Sequence, residues 1–403
     1  MLALSPLSQN ILNIEDKKRR NLLAWRGQFS PQLVESILTA YAPSEAFVLD
    51  PFMGSGTVLY EAGRIGLQAF GVEINPAAVK LSQIYKQINR SKTRRETVLN
   101  RLEMLLEEHF PYPQNGCLFN NAESTHEEEI IDRFKKLHSI IGGGDIKEIL
   151  ETLIVLIDFY KPDLSTIRIW SIWRKLRKVV ICLPYSKNPI NVELCDARNL
   201  PLPDNCVDLV ITSPPYINVF NYHQQYRASI EAIGWNVLEL AKSEIGSNRK
   251  FRKNRFLTIV QYCIDMADVL KELGRVVKQY SQLIFIVGKE SMVKKTRFFN
   301  GDILSEIAKR CLGYEIAMKQ QRFFKNKFGQ IIYEDILHLA TGSKRQTSLK
   351  ENPAAIARQV LEKARLRAPS ESREDLELAL QEFDTVPPSP LYRVERLNQK
   401  CAS

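Results

Sequence analysis

Thr212-Ser213-Pro214-Pro215-Tyr216 follows directly on the apolar run Val207-Asp208-Leu209-Val210-Ile211, so a polar residue, two prolines and an aromatic fall at the carboxyl end of an expected strand. Each proline fixes φ near about −65° and lacks an N–H, which stiffens the turn and leaves its carbonyls free to face a ligand. Ser213 Oγ and the Pro214 carbonyl are candidate acceptors for two N–H groups, and Tyr216 offers a flat face. A planar base with an exocyclic amine fits this set. Its nitrogen lone pair is delocalised into the ring, and acceptors that hold both N–H groups favour a more tetrahedral nitrogen that can be alkylated. Such a base must first leave its stack. Ser-Pro-Pro also ends strands in ordinary turns, so the tetrad needs a second, independent feature beside it.

That feature lies upstream. Residues 47–62 read as an apolar strand, the turn Asp50-Pro51-Phe52-Met53-Gly54-Ser55-Gly56-Thr57, and a helix. Gly54 and Gly56 permit positive φ and close backbone approach, and the helix that follows presents unpaired N–H groups to whatever the turn cradles. A dinucleotide fingerprint would carry G-x-G-x-x-G, and the Asp50 carboxylate disfavours pyrophosphate. It favours an amino-bearing or cationic ligand, and S-adenosylmethionine carries both an α-amino group and a sulfonium. Glu73 ends the next expected strand 23 positions after Asp50, close to the roughly 20-residue spacing at which an acid grips a ribose hydroxyl pair. Asp196, after Val192-Glu193-Leu194-Cys195, repeats the order strand, acid, loop. It is a candidate acceptor for an adenine amino group, with Leu200 or Leu202 flanking the ring; the plainer reading is a turn or helix-capping Asp.

On these residues the chain resembles the S-adenosylmethionine-dependent DNA amino-methyltransferases, and the cytosine-N4 group most closely. The resemblance implies that Ser213, Pro214, Pro215 and Tyr216 hold the target base. It assigns cofactor binding to Asp50, Pro51, Phe52, Gly54, Ser55, Gly56 and Thr57, to Glu73 and Asn75, and to Asp196 and Ala197. The block 26–34 resembles the family's N-terminal cofactor-covering segment and adds Phe29 and Pro31, although Phe29 reads equally well as core. Adenine-N6 relatives usually carry Asp or Asn where Ser213 stands, so the resemblance favours cytosine. The implied function is site-specific methylation of cytosine N4 in duplex DNA by a restriction-modification methylase. Duplex DNA is then the partner, and a cognate restriction endonuclease stays open. Adenine-N6 or RNA methylation uses the same pocket logic. A nucleic-acid-binding module with a dead site is a reading of another class, disfavoured because both halves of the site are intact.

Composition agrees with this class. The 403 residues are 44% hydrophobic, enough for a large core, and carry a formal net charge of +10, which makes nucleic acid a natural partner. Arg249, Lys250, Arg252, Lys253 and Arg255 form a cationic cluster after the tetrad, suited to gripping phosphates, and Phe220 is a candidate to wall the base pocket. Seven cysteines include no C-x-x-C pair and five histidines no metal spacing, so reduced thiols and no metal are expected. With no sustained apolar run, a cytoplasmic location is expected.

The elements that must position these residues alternate. A helix over 31–41, the Asp50 strand, a helix over 57–65, the Glu73 strand and a helix from 76 predict a mostly parallel sheet with helices on both faces. Extended runs at 282–288, 314–324 and 333–340 suggest closure by an antiparallel hairpin. The expected fold is thus an α/β, Rossmann-like methyltransferase with a helical insertion. Its parts are a cofactor-binding part over 1–90, an insertion over 91–188 that is a candidate for target recognition, a catalytic part over 189–342, and a polar extension over 343–403 read as a mobile or partner-binding arm. In the insertion Arg174, Lys175, Arg177 and Lys178 face DNA or form the outside of an amphipathic helix.

Overall fold

The structure, a computed structural model, describes residues 4–112, 127–217, 221–247, 251–326, 328–342 and 348–392. Among the described residues, nine strands are β1 Phe47–Asp50, β2 Gln68–Glu73, β3 Ile190–Leu194, β4 Val207–Thr212, β5 Val277–Gly288, β6 Glu290–Val293, β7 Thr296–Phe299, β8 Glu315–Lys325 and β9 Ile331–Ala340. Seven of them form one sheet in the order β3-β2-β1-β4-β5-β9-β8, while β6 and β7 make a separate two-stranded ribbon. The first five strands of the sheet are parallel, and β9 runs antiparallel between β5 and β8. This is the Rossmann-like methyltransferase architecture with its closing hairpin. The order reverses between β1 and β4, and ligands of such sheets bind beyond the carboxyl ends at that switch point. The glycine turn follows β1 and the Ser-Pro-Pro-Tyr tetrad follows β4, so the topology alone delivers both motifs to one edge.

Strand periodicity explains how helices cover both faces. Val48, Leu209, Ile211, Ile284 and Ile286 belong to one core, and their neighbours Leu49, Val210, Leu283, Phe285 and Val287 to the other. Every second residue changes face, and both sets are apolar, as a sheet sandwiched between helices requires. The first face carries helices Pro31–Tyr41 and Thr57–Arg64 and the insertion, whose Phe134, Leu153 and Trp173 are fully buried. The insertion therefore shares the main core. Its helix Thr166–Ile181 turns Trp170 and Trp173 inward, while Arg177 pairs with Glu103 at 3.0 Å and Arg174 lies over the Tyr112 ring, which makes these cations the outer face of an amphipathic helix.

The second face carries helix Leu257–Val276 and, contrary to expectation, the C-terminal region. Helices Pro353–Arg365 and Ser370–Glu382 bury Ile356, Leu361, Leu376 and Ala379 in this core. The described part of the extension is thus a packed layer. Beyond it, Ser389 and Pro390 give their carbonyls to Arg198 Nη1 at 2.7 Å and Nη2 at 2.8 Å, and the Ser389 N–H donates to Asp265 at 2.8 Å.

Candidate active site

A crevice opens at the carboxyl ends of β1 and β4, where open α/β sheets bind their ligands. Pro51, Phe52, Gly54, Ser55 and Thr57 of the glycine turn line one side, and Ser213, Pro214, Pro215 and Tyr216 line the other. Phe29, Glu73, Asn75, Asp196 and Ala197 complete the sequence-predicted set that faces this space. Three predicted residues do not line it. Pro31 is the buried first residue of its helix, where a missing N–H leaves no bond unmade. Gly56 caps helix Thr57–Arg64 at φ 81°, and a Cβ there would meet the Tyr85 ring at 2.8 Å, so its lack of a side chain serves packing beneath the turn. Asp50 is buried just behind the wall.

Asp50 joins the two halves. Its Oδ1 accepts from Thr212 Oγ1 at 2.7 Å and from the Phe52 N–H at 3.1 Å, while Oδ2, also buried, has no partner among the described residues. Burial pushes this carboxyl up to about 7 against those two hydrogen bonds, and nearby Glu73 raises it further. A half-satisfied buried carboxyl beside a pocket is a site for a donor or a cation. Glu73 is similarly raised to about 7, chiefly by burial, although its Oε1 accepts from the Ile74 and Asn75 N–H groups and its Oε2 from the Gly54 N–H at 3.2 Å. That last bond ties the acid of β2 to the glycine turn of β1. Gly54 sits at φ 50°, where L side chains are strained, and a Cβ there would press on the Trp25 indole at 3.1 Å.

Other predicted residues are present but already engaged. Asn75 caps helix Pro76–Ser82 through Ala77 N at 2.9 Å and gives its amide N–H to the Tyr222 carbonyl. Asp196 accepts from Arg198 N and Nε on Oδ1 and from Arg198 Nη2 and Tyr392 N on Oδ2. All four acceptor positions of the carboxylate are filled, so its expected bond to an adenine amino group is revised: Asp196 shapes the wall and anchors the C-terminal segment. Leu200 and Leu202 pack into the core instead of flanking a ring. Cys195 lines the crevice, but burial pushes its thiol up to about 12, so it is no thiolate nucleophile.

Sequence reasoning named the covering segment through Phe29 but missed the bonds that hold it down, and missed part of one wall. Thr57 Oγ1 donates to Asn21, Gln28 donates to Ser55, and Arg19 forks onto the buried Glu61 at 2.7 and 2.9 Å. These bonds clamp the segment carrying Trp25 and Phe29 over the glycine turn. On the far side Glu244, beside Tyr222, accepts from His223 N and Nδ1, each at 2.8 Å. Tyr222 stands in the aromatic-rich stretch after the tetrad, but nothing in the spacing of His223 and Glu244 marks them; only the fold joins them to it. At the tetrad, burial pushes the Tyr216 phenol above its ordinary range. Among the cations, Arg252 and Lys253 are exposed just ahead of helix Leu257–Val276, at the crevice end of the sheet, and Arg255 is half-buried. Phe220, Arg249 and Lys250 lie outside the described residues.

The fold is that of a Rossmann-like methyltransferase, and both motifs open on one crevice at its switch point. Residues 7–84, which contain the glycine turn and Glu73, match the family model described as DNA methylase. The chain is 24% identical over 280 residues to the type II methyltransferase M.BsoBI of Geobacillus stearothermophilus, covering 53% of this chain and 52% of that protein. It is 23% identical over 278 residues to M.AvaI of a Nostoc species, covering 57% of each. The chain thus spans about half the length of the curated relatives it matches. A solved SAM-dependent methyltransferase of Methanosarcina mazei aligns with a TM-score of 0.36 at 12% identity, over 76% of this chain and 98% of that one. The chain is thus similar to DNA methylases around its glycine turn and to type II methyltransferases over somewhat more than half its length. Among the described residues, no helix is long and apolar enough to cross a membrane, and no group of His, Cys, Asp and Glu could hold a metal ion.

Proposed function

We propose that this chain methylates the exocyclic N4 amine of cytosine in duplex DNA, as the modification methylase of a restriction system. The observation that carries the reading is the shared crevice: Gly54 and Ser213, far apart in sequence, line one space, with Asp50 and Thr212 bonded behind it. The residues fit the cofactor. The buried, unpartnered Asp50 Oδ2 suits a cationic or amino-bearing group, and Glu73, bonded to Gly54, still has lone-pair capacity for a ribose hydroxyl. Bound there, S-adenosylmethionine supplies a methyl group on a sulfonium, an excellent leaving group.

The chain's own residues then have three tasks. Ser213 Oγ and the Pro214 carbonyl accept the two N–H groups of the extruded base, Tyr216 stacks on its face, and the apolar wall of Phe29 and Phe52 excludes water. Alignment of this kind is worth of order 7–11 kcal/mol in well-oriented reactions. No strong base is needed, because the methylated nitrogen is a four-coordinate, positively charged and acidic ammonium whose surplus proton passes to water. Arg252 and Lys253, at the same end of the sheet, give phosphate contacts that set register more than sequence choice. The insertion over 91–188 is our candidate for target recognition. Digestion and mass spectrometry of duplex DNA incubated with protein and cofactor should show N4-methylcytosine. N6-methyladenine would move the assignment to the other base, methylated RNA alone would change the polymer, and no methylation at all would reject the reading.

A further inference from the structure

β9 leaves the sheet beside the tetrad. Gly288, the last residue of β5, pairs with Glu334 of β9, and a Cβ on Gly288 would meet the Tyr216 ring at 3.1 Å. From that point only β8 and β9 continue, through the pairs Phe323↔Tyr333, Phe324↔Ile332 and Lys325↔Ile331. At about 3.4 Å per residue the overhang reaches roughly 10 Å past the end of the sheet before its turn. The two faces of this overhang are treated differently. One, with the outer edge of β8, meets helix Gln9–Asn13: Gln9 Nε2 donates to the Gln321 carbonyl at 3.0 Å, the Phe323 N–H donates to Asn13 Oδ1 at 3.0 Å, and the Arg322 side chain reaches the Leu12 carbonyl.

The other face is open and apolar. Phe323 and Tyr333 are each 43% exposed and Ile331 50%, with the two rings 6.1 Å apart, and Phe328 at the turn is 75% exposed. The turn that presents Phe328 is built: Asn326 Oδ1 accepts from the Phe328 and Gln330 N–H groups, and the Asn326 N–H donates to the Gln330 carbonyl at 2.9 Å. Lys289 lies over the Tyr333 ring at 5.2 Å, and the exposed Lys325 makes no ion pair among the described residues. The acid at the base of the overhang, Glu334, points to the other face, where it is paired with Arg322. An aromatic face of this extent left open to solvent is a liability unless something covers it.

We infer that this hairpin is a nucleic-acid contact, on which bases next to the target stack while Lys289 and Lys325 meet the backbone. Stacking surface, the cations Lys289 and Lys325 on the same face, and a position at the tetrad's lip suit a polyanion carrying flat bases. A second copy of this chain would bring like charge against like. The inference rests on the methyltransferase reading and names the element that holds the duplex beside the extruded base.

The test is fluorescence anisotropy of the full chain on a short random-sequence duplex, with cofactor affinity measured in parallel. Phe328→Ala should weaken duplex binding roughly five- to hundredfold, Phe328→Trp should restore it, and cofactor affinity should not change. Lys325→Gln should lower the salt dependence by about one phosphate contact. Unchanged DNA affinity in Phe328→Ala, with wild-type protein binding the duplex, overturns the hairpin assignment alone. Self-association lost on sedimentation in place of DNA binding gives the face to a second copy and overturns it too. Wild-type protein that binds cofactor but no nucleic acid brings down the methyltransferase reading, and this inference with it.

Discussion

Thr212 Oγ1 donates to Asp50 Oδ1 at 2.7 Å, joining the last residue of β4 to the last residue of β1 across 162 positions of sequence. The bond fixes the end of the strand that presents Ser213 to the end of the strand that presents the glycine turn. Thr212→Val keeps the shape and removes the donor. It should cost about 1–3 kcal/mol of stability, because a buried carboxyl oxygen loses a partner, and it should weaken cofactor binding by raising Asp50 further. Calorimetric titration of the cofactor checks this; affinity equal to wild type would show that Asp50 does not serve the cofactor.

Cofactor affinity should depend on pH through Asp50 and Glu73. Burial raises both to about 7, above the ordinary carboxyl range of about 4. Between those values the folded protein binds more protons than the unfolded chain, so these two groups make folding less favourable as pH rises from about 4 to about 7. A cationic or amino-bearing ligand favours the ionised forms. Binding should therefore release protons, strengthen from about pH 6 to about pH 8, and level off above that. Titrations in buffers of different ionisation enthalpy measure the release directly, and pH-independent affinity without proton release would contradict it.

His338, in the middle of β9, titrates with the opposite sign. Both ring nitrogens are buried without a partner among the described residues, and burial lowers the ring to about 4 from an ordinary 6.5. The unfolded chain takes up the proton first, so stability falls as pH drops from about 6.5 toward 4, by about 3 kcal/mol if the whole shift is realised. His338→Leu, facing the edge of the Tyr41 ring, should remove that loss. Denaturant melts across this window measure it; an unchanged pH slope would refute the assignment.

Gly54 and Gly56 should fail in different ways. Gly56→Ala forces a Cβ into the Tyr85 ring and Ser82 at positive φ, so thermal stability should drop by a few degrees or more, with or without cofactor. Gly54→Val fills the turn against Trp25 and should abolish cofactor binding. Melting curves with and without cofactor separate the two, and the same pattern in both variants would deny that Gly54 faces the ligand.

The parts legible in the sequence were those where one strand end carries both fold and chemistry. The runs into Asp50 and Ser213 marked β1 and β4, and the glycines between acid and helix marked the turn. The extended runs near 282, 314 and 333 gave the closing hairpin. Contacts made through backbone atoms left no such trace. The anchoring of Asp196 and Arg198 depends on the carbonyls of Ser389 and Pro390 and on the Tyr392 N–H, which any residue could supply; hence a packed layer read as a mobile or partner-binding arm. Glu244 and the ribbon β6–β7 were missed for a related reason. A lone acid and two four-residue strands carry too little pattern to stand out before the fold assembles them.

The account turns on Ser213 holding the base while Gly54 and Asp50 hold the methyl donor. Transfer of tritiated methyl from S-adenosylmethionine to duplex DNA by Ser213→Ala, beside its cofactor affinity, tests that division most directly. Methyl transfer should be lost while most cofactor binding is kept. Turnover equal to wild type would contradict it.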